Sequence, residues 1–142
     1  MKKSFFLFPI FLSVLFSCNS DGAKKTDAEK ESYQETKKSL LIKEQKNPVS
    51  FLTVHGNDKR NLLGQTVVKG VIKNNATVAT YKDVDLKLSF YSKTKALLET
   101  DKETVFEVLV PGQSKNFKTK YFAPKGTDSV ALEVLAAKVV VE

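Results

Sequence analysis

One stretch of the chain alternates between apolar and polar side chains along its whole length: Asp83-Val-Asp-Leu-Lys-Leu-Ser-Phe-Tyr91. Successive side chains of an extended chain point to opposite sides, so the apolar members would share one face. Those members are Val84, Leu86, Leu88 and Phe90. The period of two therefore predicts a strand with its apolar face buried and its polar face in solvent.

The same period recurs on both sides of this stretch and predicts further strands. They cover residues 51–55, 67–73, 104–110, 117–121 and 130–136, and residues 139–141 extend the last strand or form another. In the strand at 104–110, the inward face is assigned to Phe106, Val108 and Val110. Gly70 marks a bulge or a close approach of two backbones, because glycine weakens a strand interior.

Turn residues separate the predicted strands. Val110-Pro-Gly-Gln113 matches a type II turn, in which proline takes the second position and glycine supplies the positive φ at the third. Other breaks lie at residues 74–77, 92–95 and 123–127. Short strands with turns at this spacing predict an all-β fold, an antiparallel immunoglobulin-like β-sandwich of six to seven strands. An open barrel is the main alternative.

Residues 49–142 resemble the FxLYD-type immunoglobulin-like domain of bacterial extracytoplasmic proteins. The matching order is Val68–Asn74, then Asp85–Tyr91, then Leu109–Phe117. Leu88-Ser-Phe-Tyr-Ser92 stands where the family has Phe-x-Leu-Tyr-Asp, so Tyr91 matches and Ser92 replaces the acid. The resemblance implies a sandwich fold and an envelope location, and it implies no activity.

The N-terminus has the layout of a secretory signal, with Lys2 and Lys3 before the apolar run Phe5–Phe16. The run is too short for a spanning helix, which needs roughly 20 apolar residues. Its end resembles the lipobox of bacterial lipoproteins: Leu15, Phe16, Ser17 and the only cysteine, Cys18. A conventional signal peptide is the alternative, and it would leave a lone free thiol in an oxidising compartment.

The lipobox resemblance implies that residues 1–17 are removed and that acylated Cys18 holds the protein to a lipid bilayer. Two or three acyl chains bind far more firmly than one, since each buried methylene contributes about 0.8 kcal/mol. Asn19 lacks the aspartate associated with retention at an inner membrane. The expected location is the cell envelope: the outer membrane if the host has two membranes, otherwise the outer face of the cell membrane.

Residues 18–48 are predicted to be a charged tether between the anchor and the domain. Thr26-x-x-Glu29 matches a capping box, and Pro48 disfavours helical angles at the residue before it. A marginal helix is therefore predicted over residues 27–46, with a thin apolar stripe that does not dock on the domain. A wholly disordered spacer is the alternative.

The sequence offers little for catalysis. It contains one histidine, and acylation would consume its one cysteine, so no metal site and no cofactor are predicted. His55 is interpreted as a surface residue near a turn. Asp83 and Asp85 could be a catalytic carboxylate pair or calcium ligands, but paired acids on a solvated strand face are favoured because a sandwich face offers no cleft. The protein is predicted not to be an enzyme.

The chain is basic, with a formal net charge of +7. A candidate basic contact face for anionic polymer or lipid headgroups is assigned to Lys87, Lys115, Lys118 and Lys120. Lysines on sheets also serve solubility and protect edges against aggregation, which is the alternative. Nucleic acid is excluded as a partner, because the chain has a single arginine and its expected location is outside the cell.

The sequence thus predicts a membrane-anchored extracytoplasmic lipoprotein that works as a non-enzymatic binding module. Its partner is expected to be an envelope protein or polymer. An accessory subunit of an envelope transport, secretion or cell-wall complex is the alternative.

Overall fold

The computed structural model of the chain describes residues 22–141. One helix, α1, covers Gly22–Lys46, and a short 3₁₀ turn covers Pro48–Phe51. Six strands follow: β1 Leu52–Arg60, β2 Thr66–Asn74, β3 Tyr81–Ser92, β4 Leu97–Leu109, β5 Ser114–Tyr121 and β6 Thr127–Val139. Strands were expected in all six of these regions, and β4 is longer than its prediction.

The strands form two antiparallel three-stranded sheets, in the orders β1-β2-β5 and β4-β3-β6. The predicted all-β sandwich is therefore confirmed. The alternating apolar residues of β3 are all buried, and those of β2 face them from the other sheet: Val84, Leu86, Leu88, Phe90, Val68 and Ile72. These residues form the core because each sheet turns one apolar face toward the other.

The predicted face of β4 is wrong. Phe106, Val108 and Val110 share a face, but it points to solvent, and Phe106 is 79% exposed. Val105 and Leu109 are buried instead. Their cross-strand partners on β3 are Val84 and Tyr81, respectively. Both faces of this strand carry apolar residues, so the period of two identifies a strand without deciding which face is inward.

The turn between β4 and β5 has the expected geometry. Gly112 has a φ of 76°, and the N–H of Gln113 donates to the carbonyl of Val110 at 3.0 Å. Buried Asn74 fixes this turn, because its carbonyl accepts from the N–H of Gly112 and its side-chain amide donates to the carbonyls of Leu109 and Ala79. The polar groups of this buried amide are therefore satisfied, as burial requires.

Gly70 marks a close approach rather than a bulge. The registers of β2 with β1 and β5 run without a shift, and Gly70 lies opposite Gly56 and Phe117. An added Cβ would stand 2.5 Å from a ring carbon of Phe117 and 2.7 Å from the His55 carbonyl oxygen. Only glycine leaves room for the Phe117 ring to reach the core.

One compact unit of the chain begins at Gln34 and contains all six strands. Helix α1 begins at Gly22, earlier than the predicted residue 27, and ends at the predicted Lys46. The lipobox residues Leu15, Phe16, Ser17 and Cys18 lie outside the described residues, so acylation stays a prediction. Among residues 22–141, no helical segment has the length and hydrophobicity that a membrane span requires.

Candidate functional site: a lysine face on one sheet

Five lysines share the outer face of the β1-β2-β5 sheet, and we call this surface the lysine face. Its members alternate with inward side chains along their strands, so all five project to solvent. They are Lys59 on β1, Lys69 and Lys73 on β2, and Lys118 and Lys120 on β5. The rest of this face is neutral: Thr53, His55, Asn57, Val67, Val71, Ser114 and Asn116.

The strand register brings the lysines close together. Asn57, Lys69 and Lys118 form one row across the three strands, and Lys59, Val67 and Lys120 form the next. Lys69 and Lys118 are therefore direct cross-strand neighbours, with Cβ atoms about 4.5–5.5 Å apart, a placement that is destabilising for like charges. The lysine face therefore carries a concentrated positive charge, and repulsion between its lysines destabilises the sheet.

No acidic side chain balances this charge on the described part of the sheet. Asp58, the one acid of β1, has the opposite orientation, and its carboxylate accepts from the backbone N–H of Val130 on β6 at 3.2 Å. None of the five lysines makes an ion pair within residues 22–141. The lysine face is therefore open to an anionic partner.

The outer face of the β4-β3-β6 sheet is different, because three of its four lysines, all except Lys82, form ion pairs. The ion pairs are Lys87–Glu133 at 3.2 Å, Lys102–Asp85 at 2.8 Å and Lys138–Asp83 at 3.0 Å. Protection of sheet edges would account for Lys59, Lys118 and Lys120, which lie on the edge strands β1 and β5. It does not explain Lys69 and Lys73, because β2 is the central strand of its sheet.

Two neighbouring depressions lie along the lysine face. The first, about 590 Å³, is lined by His55, Asn57, Lys69, Val71, Asn116 and Lys118 over the backbone of Gly56 and Gly70. The second, about 640 Å³, continues from Asn57, Lys69 and Lys118 to Lys59, Arg60 and Leu62, and Asp58 is the one acid in its lining. Together they form an open, basic groove that suits an extended or flat anionic partner better than an enclosed small molecule.

The four lysines that were predicted from sequence to share one face do not all share it in the structure. Lys118 and Lys120 belong to the lysine face. Lys115 has the parity of inward Phe117 and pairs with Glu107 of β4 at 3.4 Å, and Lys87 lies on the other sheet. Lys59, Lys69 and Lys73 were left out of the assignment. The sequence shows that these lysines alternate with inward residues, but it does not show that β2 pairs with β1 and β5.

Asp83 and Asp85 do not form a carboxylate pair. A register shift in β3 falls between Lys82 and Val84, and Asp83 there has a φ of 49°. Each acid has its own lysine, and Asp85 also accepts from the hydroxyl of Thr104 at 2.6 Å. The hydrogen bonds from Lys102 and Thr104 hold the pKa of Asp85 below its ordinary value. Paired acids on a solvated face are therefore what the structure shows.

No group of three or more metal-ligating side chains comes together in the described part of the chain. His55 lies on the exposed lysine face beside Val71 and Asn116, with no carboxylate on that face to orient its ring. This arrangement does not resemble the pairing of nucleophile, base and orienting acid that hydrolysis uses.

A second polar cluster joins the end of α1 to the sandwich. Glu44 is 2% exposed, and its carboxylate accepts from three consecutive backbone N–H groups: Thr77 at 2.7 Å, Val78 at 2.9 Å and Ala79 at 2.7 Å. Burial alone would raise the pKa of Glu44, but these hydrogen bonds outweigh it, so the pKa lies below its ordinary value.

Tyr81 completes this cluster. Its hydroxyl donates to the Glu44 carbonyl at 3.0 Å, which satisfies one of the carbonyls left free at a helix C-terminus. Burial and the nearby charge raise the pKa of Tyr81 to about 12. Leu41 packs against the same end of the core. The expectation that the tether does not dock is therefore wrong for its last turns.

No family model matches the chain, and no curated protein matches it by sequence. The chain is similar in structure to the trimeric lipoprotein SadB of Salmonella enterica. The similarity covers 84% of this chain and 80% of that one, with 11% sequence identity and a TM-score of 0.46.

Proposed function

We propose that the protein is a lipid-anchored, non-enzymatic binding module of the bacterial cell envelope that holds anionic material on its lysine face. The observation that carries the proposal is the contrast between the two sheets. In the described part of the chain, one outer face has five lysines without an ion pair and no acid, and the other has three acids that pair with three of its four lysines. Phosphate or carboxylate groups of an envelope polymer or lipid have the chemistry that this face would recognise.

The energetics favour a multivalent partner over a single anion. A lysine near an anionic surface contributes about 1 kcal/mol, and an isolated exposed ion pair contributes little. Several lysines in adjacent rows can engage successive charges of one polymer or surface. Binding of this kind should weaken as salt rises, because exposed charges are screened within a Debye length of about 8–10 Å.

Labelled polyphosphate, a soluble polyanion, tests the proposal with the full chain by fluorescence anisotropy. Replacing Lys69 and Lys118 together by glutamine should weaken binding about 30-fold, since two charges contribute about 2 kcal/mol. The matched control replaces Lys87 and Lys138 by glutamine, which removes the same charge from the other sheet. Equal losses in the two variants, or no binding by the native chain, would contradict the proposal.

An accessory subunit of an envelope complex is the second candidate, and the apolar stripe on β4 favours it. Phe106, Val108 and Val110 are 79%, 50% and 47% exposed on one face. Contiguous exposed apolar residues mark protein contacts more often than single ones do. A photo-crosslinker in place of Phe106 should then capture one dominant envelope protein in cells, and a crosslinker in place of Lys69 should not.

A further inference from the structure

Three connections meet at one end of the sandwich and expose large apolar side chains. Residues 61–65 join β1 to β2, residues 93–96 join β3 to β4, and residues 122–126 join β5 to β6. The register places them together: Arg60 pairs with Thr66, Thr66 with Tyr121, and Ser92 with Thr127. Leu62, Leu63 and Phe122 are at least 80% exposed here, and we call these three residues the apolar tip.

The turn that carries the two leucines is held firmly. The Asn61 side-chain oxygen accepts from the backbone N–H groups of Leu63 at 3.0 Å and Gln65 at 2.9 Å. Gly64 completes the turn with a φ of 78°. A turn built in this way presents Leu62 and Leu63 to solvent without a core contact, so their apolar surface is available to a partner before binding.

Basic residues surround the apolar tip. Lys93 and Lys95 lie in the second connection, and Lys125 lies in the third. Within two positions of the connections, the strands add Lys59, Arg60 and Lys120 and one acid, Asp128. None of the three connections contains an acidic residue. The two connections at the other end, residues 75–80 and 110–113, have no charged residue at all. The positive charge of the connections is therefore concentrated where the leucines are exposed.

We infer that this end of the sandwich inserts into an anionic lipid bilayer, with the apolar tip among the acyl chains and the surrounding cations on the headgroups. The inference rests on the proposed function and names its ligand. Leu62 lines the same depression as Lys59, Lys69 and Lys118, so the lysine face leads directly to the tip. A soluble polymer would match the lysines but would leave the leucines and Phe122 in water, whereas a bilayer matches both.

The absence of tryptophan from the chain allows a direct test with full-length protein. Leu63→Trp places one fluorophore at the tip, and its emission reports the surroundings of that residue even if an acyl chain holds the protein nearby. Vesicles of phosphatidylglycerol should shift the emission to the blue, and brominated acyl chains should quench it. Vesicles of phosphatidylcholine should do neither. Val108→Trp, on the other sheet, is the matched control and should not respond.

A second variant tests the contribution of the apolar tip without a fluorophore there. Leu63→Asn combined with Phe122→Asn should reduce competition by phosphatidylglycerol vesicles for labelled polyphosphate about tenfold or more, since burying one large apolar side chain corresponds to about that factor. Binding of polyphosphate itself should be unchanged, because neither residue lines the groove of the lysine face.

The outcomes separate the two proposals. If the emission of Leu63→Trp does not change on phosphatidylglycerol while polyphosphate still binds, the bilayer inference is wrong and the binding module stands with a polymer as ligand. Equal insertion into both lipids would also overturn the inference, because the basic residues around the apolar tip would then make no contribution to binding. If the native chain does not bind polyphosphate, the proposed function itself is wrong.

Discussion

Glu44 and Ala79 are joined across thirty-five positions of sequence by a 2.7 Å hydrogen bond from the backbone N–H of Ala79 to the Glu44 carboxylate. Thr77 and Val78 donate to the same carboxylate. Three consecutive N–H groups form a concave site that favours an anion. This contact makes the last turns of α1 part of the folded unit that begins at Gln34.

Glu44→Ala should destabilise the folded unit by about 2–4 kcal/mol, because it leaves backbone N–H groups without their acceptor. The change is measured as the free energy of unfolding in urea. Glu35→Ala is the matched control, since Glu35 lies exposed on the same helix and its loss should change stability by about 0.5 kcal/mol or less. Equal effects of the two variants would show that the Glu44 hydrogen bonds do not stabilise the fold.

The contribution of Glu44 should depend on pH. Its folded-state pKa lies below the ordinary value of about 4.3, so its stabilisation is complete above that value and is lost as pH falls through the folded-state pKa. We expect the stability difference between the native chain and Glu44→Gln to shrink on acidification below about pH 4.3. Urea unfolding across this range measures it, and a difference that grows toward low pH would contradict the assigned direction.

Truncation of Phe90 should destabilise the fold strongly, and truncation of Phe106 should hardly change its stability. Phe90 is 2% exposed and meets the ring of Tyr121 edge-on at a centroid distance of 5.9 Å, so Phe90→Ala should cost about 3–5 kcal/mol. Phe106 is exposed, so Phe106→Ala should change stability by about 0.5 kcal/mol or less. Thermal unfolding compares the two variants, and a large loss on truncating Phe106 would place that ring in the core.

Limited trypsin digestion should map where the helix becomes part of the folded unit. We expect the first cuts after lysines in the N-terminal part of α1 and just beyond it, at Lys24, Lys25, Lys30, Lys37 and Lys38. The stable fragment should retain Glu44 together with residues 49–142. Mass spectrometry identifies its N-terminus. A first stable fragment beginning at Asn47 would show that the Glu44 contact does not hold the last turns of α1 in place.

Cys18→Ala should abolish incorporation of labelled palmitate and release the protein from the membrane fraction, because the acylated thiol is the predicted anchor. Ser20→Ala is the control and should leave both properties intact. Continued labelling of the Cys18 variant, together with continued membrane fractionation, would mean that the lipobox assignment is wrong.

Local pattern was sufficient for much of the fold. The strands around Asp83–Tyr91 and the turn at Val110–Gln113 follow from side-chain alternation and from the φ that Gly112 can adopt, and both depend on neighbouring residues alone. The inward face of β4 could not be predicted, because Phe106 and Val105 are both apolar. The choice between them depends on which side of the strand meets the other sheet.

The sequence by itself determined the period of each strand, the positions of the turns and a basic chain with few groups for catalysis. Tertiary structure alone decided which lysines act together: pairing of β2 with β5 sets Lys69 opposite Lys118, while Lys87 lies on the other sheet. It also decided that Glu44, an ordinary helical carboxylate in sequence, is buried against Ala79. Both outcomes depend on contacts between residues far apart in the chain, and such contacts leave no periodic signal in either segment.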